Sequence, residues 1–173
     1  MRVTTERVLQ ELRGGLWHTT HPDRFKQIIT TGFILPEPDL PESERWGTVE
    51  GRDHYPYVRF IGGVSLFDFD GFDSYRERCP ESSWAYFVPF HLAWECAVWV
   101  ELDREIVAPH MIYGADLVAK WKADQAYGHR IMAEIEVAHL GPIPRRAFKR
   151  AFLVRKGDDS LHELECLGVS GSR

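Results

Sequence analysis

Short strand-like and helix-like segments follow one another without a regular order, and this irregularity constrains the fold more than any other feature of the chain. Four runs have strand-like composition, at residues 16–18, 62–67, 97–102 and 129–137. Three runs place apolar residues at helical spacing, at residues 4–13, 20–32 and 116–122. Residues 148–154 fit either a strand or a helix. Because strands and helices do not alternate regularly, we expect an α+β fold rather than a doubly wound sheet.

Composition and charge limit the classes of protein to which the chain can belong. Its 173 residues, 44% hydrophobic and 13% aromatic, are expected to form a single domain over residues 1–173 with a substantial core. The net charge of −5 gives no general attraction to nucleic acid or to anionic membranes. Cys79, Cys96 and Cys166 form no disulfide framework, and no apolar run suits a leader or a membrane span. These features predict a cytoplasmic protein that does not associate with a membrane, and they leave the oligomeric state open.

The sequence lacks the motifs of several large enzyme classes. The eight histidines are dispersed, with no H-E-x-x-H motif and no Cys/His cluster at ligand spacing, so we expect no metal site. A Walker loop and a G-x-G-x-x-G motif are both missing, which disfavours P-loop and Rossmann chemistry. Asp68, Asp70 and Asp73 lack the spacing of an EF-hand and are predicted to form a turn.

The segment 16–20 brings one histidine and two hydroxyl groups to the beginning of a predicted helix. It reads Leu-Trp-His-Thr-Thr; Thr20 is the predicted helix cap, Pro22 lies in the first turn, and Gly32 ends the helix. A neutral His18 imidazole can hydrogen-bond a ribose hydroxyl, and the exposed N–H groups at the beginning of a helix can donate hydrogen bonds to anions. The alternative interpretation is a partly buried histidine with a structural role.

Two glutamates lie two residues apart in the predicted strand 129–137. Residues i and i+2 of a strand point to the same face, so Glu134 and Glu136 are expected side by side. They form either a solvated polar face or a carboxylate pair in a cleft. In a cleft, one carboxylate can stabilise positive charge on a sugar carbon while a glycosidic bond breaks.

Residues 36–56 form a long proline-rich segment without helical or strand periodicity. It contains Pro36, Pro38, Pro41 and Pro56 together with many acidic residues. Loops of this length in small domains are often lids or binding loops, so we expect it to cover a site.

Residues 145–150 carry the main cationic concentration of the chain. Arg145, Arg146, Lys149 and Arg150 surround Phe148, and Phe152 follows closely. Cations interleaved with aromatic rings suit single-stranded nucleic acid, whereas a solvated edge of the domain is the alternative.

Taken in order, these motifs resemble the ADP-ribosyltransferase superfamily, in its His-first branch. This branch includes diphtheria-toxin-like enzymes, poly(ADP-ribose) polymerase-like enzymes and DNA-targeting ADP-ribosyltransferase toxins. Trp17-His18-Thr19-Thr20 and the helix to Gly32 are similar to its first strand and helix. Residues 63–67 are similar to the strand that supports nicotinamide, and residues 133–137, leading to the Gly-Pro-Ile-Pro turn at 141–144, to the strand with the catalytic glutamate.

The resemblance implies two small antiparallel sheets with a central cleft and short flanking helices. It implies NAD, as substrate, bound by His18, Thr19, Thr20, Ser65 and Tyr75. It places the catalytic role on Glu134, with Glu136 as the alternative in an E-x-E register. Many members carry a tyrosine where this chain has Ser65, and a second one about eleven residues later, whereas Tyr75 is ten residues away.

The expected function is therefore that of a glycosyltransferase that cleaves the nicotinamide–ribose bond of NAD and transfers ADP-ribose. The acceptor is a nucleic acid or a protein, with a slight preference for nucleic acid from the basic run at 145–150. The alternatives are a non-catalytic module that binds a nucleotide or a protein, and an enzyme like RNA 2′-phosphotransferase.

Overall fold

A computed structural model describes residues 5–48, 50–79, 83–158 and 160–166. The helices are α1 (Thr5–Leu12), α2 (Pro22–Thr31), α3 (Tyr57–Phe60), α4 (Phe72–Arg78), α5 (Arg104–Val107) and α6 (Gly114–Ala123). The strands are β1 (Leu16–Thr20), β2 (Phe33–Ile34), β3 (Gly63–Asp68), β4 (Cys96–Leu102), β5 (Met111–Ile112), β6 (Glu136–Leu140), β7 (Ile143–Pro144), β8 (Phe148–Arg155) and β9 (His162–Leu164). None of the helices in these ranges has both the length and the apolar character needed to cross a bilayer.

The strands form one large sheet and one small one, all of whose pairings are antiparallel. The large sheet has seven strands in the order β5-β6-β3-β1-β4-β8-β9, and β2 pairs with β7 in the small sheet. The predicted α+β class is confirmed. The structure has two antiparallel sheets, but one of them has seven strands, whereas two small sheets were expected. Residues 148–154, for which the sequence left two alternatives, belong to strand β8.

The pairing between β1 and β3, near the centre of the large sheet, is short. This junction consists of two residue pairs, Leu16 with Asp68 and Trp17 with Phe67. By contrast, β1 and β4 share four residue pairs, and β3 and β6 share five. Beyond Trp17 the pairing with β3 stops, so β1 and β3 part and leave space between the two halves of the sheet.

Apolar side chains cover both faces of the large sheet. On one face, α1 packs against a cluster that includes Trp17, Trp99 and Phe152. On the other face, Phe25 of α2 packs against residues such as Val98. Since helices pack on both faces of the sheet, the C-terminal end of β1, which no longer pairs with β3, is held in place by packing and by its pairing with β4.

Local sequence explains why α2 begins and ends where it does. The cap is His21, whose Nδ1 accepts a hydrogen bond from the Asp23 N–H at 3.3 Å, so the prediction of Thr20 as cap was wrong. Thr20 instead completes β1, where it pairs with Val98. Gly32 ends the helix as predicted, at φ +80°, a left-handed conformation that glycine adopts without strain.

The prediction of a strand over residues 129–137 was wrong for most of its length. Residues 133–135 form a turn in which Glu134 has φ +70°, and the Glu136 N–H donates to the Met132 carbonyl at 3.0 Å. The turn packs against Gly114, where an added Cβ would lie 2.1 Å from the Glu134 carbonyl oxygen. Strand β6 therefore begins at Glu136. Because Glu134 precedes the strand, the alternation of side chains along a strand does not place it on the same face as Glu136.

The acidic segment 68–73 was predicted as a turn, and the structure divides it between two elements. Asp68 ends β3, and α4 begins at Phe72 after Gly71 at φ +67°. The helix α4 buries Phe72 and Tyr75 in the core.

Candidate functional site

A cavity of about 480 Å³ opens where β1 and β3 part. Its volume lies within the range of small-molecule sites, roughly 300–1,000 Å³. The strands contribute His18, Thr19, Thr20, Gly63, Val64, Ser65, Phe67 and Glu136. The helix α2 contributes Arg24, Gln27, Ile28 and Thr31, and the segment 36–56 contributes Pro36, Pro38, Asp39, Leu40, Arg45, Trp46 and Pro56. The predicted lid segment therefore does border a cavity.

Glu136 is the acidic group buried in the wall of this cavity, with an exposed fraction of 2%. Its Oε1 accepts a hydrogen bond from the Ser65 hydroxyl at 2.5 Å, and its Oε2 accepts one from the Met132 N–H at 2.9 Å. Burial raises the pKa of Glu136, whereas these two hydrogen bonds act to lower it. Since each carboxylate oxygen has two lone pairs, each can accept one more hydrogen bond from a ligand.

His18 lies on the other border of the gap. Its Nδ1 is 3.2 Å from the Ser65 carbonyl oxygen, and because a carbonyl only accepts, Nδ1 must carry the proton. The pKa of His18 is lowered to about 4, mainly by burial and also by the charge of Arg24, while the hydrogen bond to the Ser65 carbonyl acts to raise it. At neutral pH the imidazole is uncharged, and its Nε2 is an acceptor for a ligand hydroxyl.

Ser65 connects these two groups across the gap. Its carbonyl accepts from His18, and its hydroxyl donates to Glu136. Strand pairing explains the second contact, because Phe67 lies opposite Glu136 and Ser65 shares a face with Phe67. Ser65 thus supports the carboxylate through its hydroxyl and the histidine through its carbonyl.

The two threonines of β1 offer further polar atoms. Thr20 is 5% exposed and lines the cavity. Thr19 also lines it, and its Oγ1 is buried without a hydrogen-bond partner among the described residues. An unpaired buried hydroxyl costs roughly 1–3 kcal/mol, so a ligand that bonds Thr19 would recover that energy.

Two of the arginines that line the cavity are neutralised by the segment 36–56. Arg59 of α3 contacts Glu37 at 2.8 Å and Glu42 at 2.8 Å, and Arg45 contacts Glu37 as well. The Arg59 guanidinium lowers the pKa of Glu42 to about 2. Both arginine side chains are largely buried, with exposed fractions of 13% and 14%. The pair of Arg45 with Glu37 lies within the segment itself, whereas the pairs of Arg59 fasten the segment to the cavity wall.

Two predicted site residues lie outside the cavity. Glu134 is exposed, and it accepts a hydrogen bond from Arg78 at 2.8 Å. The turn at 133–135 directs it away from Glu136, so the expected carboxylate pair is not formed. Tyr75 is 6% exposed and packs in the core with Phe72, since α4 carries it away from β3.

Aromatic residues that the sequence did not single out also line the cavity: Phe33, Trp46, Phe67, Phe87 and Trp94. Phe67 was predictable in principle, because it follows Ser65 by two positions on the same strand face. The others come from distant segments, and only the tertiary structure brings them together.

The basic run at 145–150 does not form the predicted stacking surface. Phe148 and Phe152 are 2% and 4% exposed, because both belong to β8 within the sheet. Arg150 pairs with Glu101 at 2.7 Å, and Lys149 pairs with the same carboxylate at 3.1 Å. Because both rings are buried and Lys149 and Arg150 are paired, this run fits the alternative that the sequence left open, a solvated edge of the domain.

Within the described ranges, no group of three or more histidine, cysteine, aspartate or glutamate side chains is placed to hold a metal ion.

Comparison with protein-family models and with curated protein sequences gives no significant match to this chain.

Proposed function

We propose that the protein is an ADP-ribosyltransferase that cleaves NAD in the 480 Å³ cavity. The observation that carries the proposal is the arrangement of the Glu136 carboxylate and the neutral His18 around Ser65. A buried carboxylate with fixed donors suits a reaction in which positive charge develops on a sugar carbon. The neighbouring acceptor nitrogen suits a ribose hydroxyl.

Glu136 is the residue to which we assign the stabilising role, in place of Glu134. When the bond between C1′ of the ribose and the nicotinamide nitrogen breaks, the electron pair leaves with nicotinamide and C1′ becomes electron-deficient. An ionised Glu136 beside that ribose stabilises this charge, and it does so more strongly because the carboxylate itself is buried. Ser65 and the Met132 N–H hold both oxygens in place before the reaction begins.

His18 and Thr19 are assigned to binding rather than to chemistry. Neutral His18 accepts a hydrogen bond from a ribose hydroxyl through Nε2, and the unpaired Thr19 hydroxyl supplies a donor or an acceptor nearby. To complete the reaction, a nucleophilic oxygen or nitrogen of the acceptor bonds to C1′ and releases its proton to solvent water. Water in that position gives hydrolysis to ADP-ribose.

Incubation of the protein with NAD tests this proposal. We expect nicotinamide to appear in buffer at a slow rate, since water can serve as acceptor, and faster with the correct acceptor. Free ADP-ribose should inhibit the release because it competes for the same cavity. Calorimetric binding of NAD without any nicotinamide release would support a non-catalytic nucleotide-binding module, and no interaction at all would exclude NAD as the ligand.

A further inference from the structure

A second cavity of about 410 Å³ adjoins the first one. The two cavities share wall residues that include Arg24, Arg45, His91 and Trp94. Glu136 and its neighbours line the first cavity, whereas the second is bordered by residues such as His21. Most residues of the second cavity also line the first, so two ligands bound there would lie side by side, as the two substrates of a transferase do.

Arg24 is a cation of the common wall and lines both cavities. Unlike Arg45 and Arg59, it has no carboxylate oxygen within 4 Å among the residues that the structure describes. Its guanidinium donates to the backbone carbonyl of Glu44, and it is half-buried. Burial lowers the pKa of Arg24, whereas the nearby charge of Glu44, which also lines the second cavity, acts to raise it. A bound anion would offset the cost of that burial.

Aromatic rings surround this cation. Trp94 is half-buried, and the Arg24 guanidinium carbon lies 5.7 Å from its ring centroid. The His21 and His91 rings lie 5.7 Å and 5.3 Å from Trp94. A flat aromatic group attached to an anion matches both features, since bases stack on aromatic side chains and arginine binds phosphate.

We propose that the second cavity binds the acceptor of the reaction, and that this acceptor is a nucleotide unit. Its base packs against Trp94 and its phosphate pairs with Arg24. The role of this nucleotide as acceptor rests on the proposed function. The binding of a nucleotide at Arg24 and Trp94 does not depend on that function, because it is argued from the contacts of these two residues. Because the net charge of −5 gives no general attraction to polyanions, this recognition is local.

Calorimetric titration with 5′-AMP and with a single-stranded oligonucleotide tests the proposal, on the wild type and on Arg24→Gln, Trp94→Ala and Lys26→Gln. Lys26 is the matched control, because it is an exposed cation on the same helix that pairs with Asp23. We expect Arg24→Gln and Trp94→Ala each to weaken binding at least tenfold, and Lys26→Gln less than twofold. Tighter binding of the oligonucleotide than of 5′-AMP would identify a nucleic acid as the source of the nucleotide.

Three outcomes would overturn the proposal: no binding of either probe by the wild type at low salt, equal losses in Arg24→Gln and Lys26→Gln, or competition between 5′-AMP and NAD. The last would assign the second cavity to NAD itself. If NAD is not cleaved while 5′-AMP binds with the expected dependence on Arg24, the nucleotide site is supported and the proposed function alone fails.

Discussion

At the scale of single residues, the buried pair of His18 and Glu136 shows how burial sets charge. Burial penalises the charged form of each group, so it lowers the pKa of the histidine and raises the pKa of the glutamate. The fixed hydrogen bonds from Ser65 and Met132 favour the carboxylate that the proposed reaction needs. The rate of nicotinamide release is therefore expected to fall as the pH falls through the raised pKa of Glu136.

The stability of the protein should depend on His18 in a defined pH window. Unfolded His18 binds a proton below about pH 6.5, and folded His18 only below about pH 4. Between these values the unfolded state holds more protons, so the contribution is present above pH 6.5 and is lost as the pH falls toward 4. At pH 5 the loss is at most about 2 kcal/mol.

Urea unfolding of the wild type and His18→Asn at pH 7.5 and pH 5 measures this contribution. Asparagine can still donate to the Ser65 carbonyl but does not titrate, and the other histidines contribute equally to both proteins. We expect the wild type to lose more stability than His18→Asn on acidification. Equal losses in the two proteins would show that His18 is not held neutral.

Sequence reasoning at this scale identified His18, Thr19, Thr20, Ser65 and Glu136, all of which line the cavity. It preferred Glu134 because it assumed one continuous strand, on which both glutamates share a face. The left-handed turn at Glu134 depends on contact with Gly114, twenty residues earlier, and no local pattern reveals it. Tyr75 was chosen by its spacing from Ser65. Because Tyr75 lies on helix α4 and is buried in the core, this spacing does not bring it to the cavity.

At the scale of elements, the segment 36–56 is held over the cavity by charge rather than by secondary structure. Glu37 and Glu42 are about half exposed, while their partner Arg59 is 14% exposed. Arg59 also lies 3.9 Å from the centroid of the Tyr55 ring. Since Arg59 joins two glutamates and a ring of the same segment, it is the main fastening point.

Replacement of Arg59 by glutamine should release this segment without unfolding the domain. We expect amide hydrogen exchange over residues 36–48 to become about tenfold faster in Arg59→Gln, which corresponds to about 1.4 kcal/mol of local opening free energy. Arg52→Gln is the matched control, because Arg52 is an exposed arginine of the same segment. Unchanged exchange in Arg59→Gln, or the same increase in Arg52→Gln, would contradict this role.

The periodic elements were the most predictable ones. The helices α1, α2 and α6 and the strands β1, β3 and β4 all lie where hydrophobic spacing placed them. The short elements α3, α5, β5 and β9 were missed, because two to four residues carry no measurable period. Their positions are determined by neighbours, such as the pairing of β5 with β6.

At the scale of the whole molecule, the sheet explains why a cavity lies near its centre. The halves of the sheet are joined by only two residue pairs between β1 and β3. Beyond these pairs, polar side chains of β1 and of β3 face the same cavity. The order of strands in the sheet was not predictable from the sequence, since β1 and β4 pair across about eighty residues. The α+β class was predictable, because it follows from the irregular order of elements alone.

The most direct test of the central claim is the rate of nicotinamide release from NAD by Glu136→Gln and Glu134→Gln, measured side by side with the wild type. Glutamine at 136 can keep both contacts, accepting from the Met132 N–H and donating to the Ser65 hydroxyl oxygen, so folding should be preserved. We expect release to fall by about two to three orders of magnitude in Glu136→Gln, because the charge that stabilises the transition state is lost. Release should stay within about threefold of the wild type in Glu134→Gln, since that side chain is exposed and pairs with Arg78. Wild-type rates in Glu136→Gln, or an equal loss in Glu134→Gln, would contradict the assignment of this cavity as the site of NAD cleavage by Glu136.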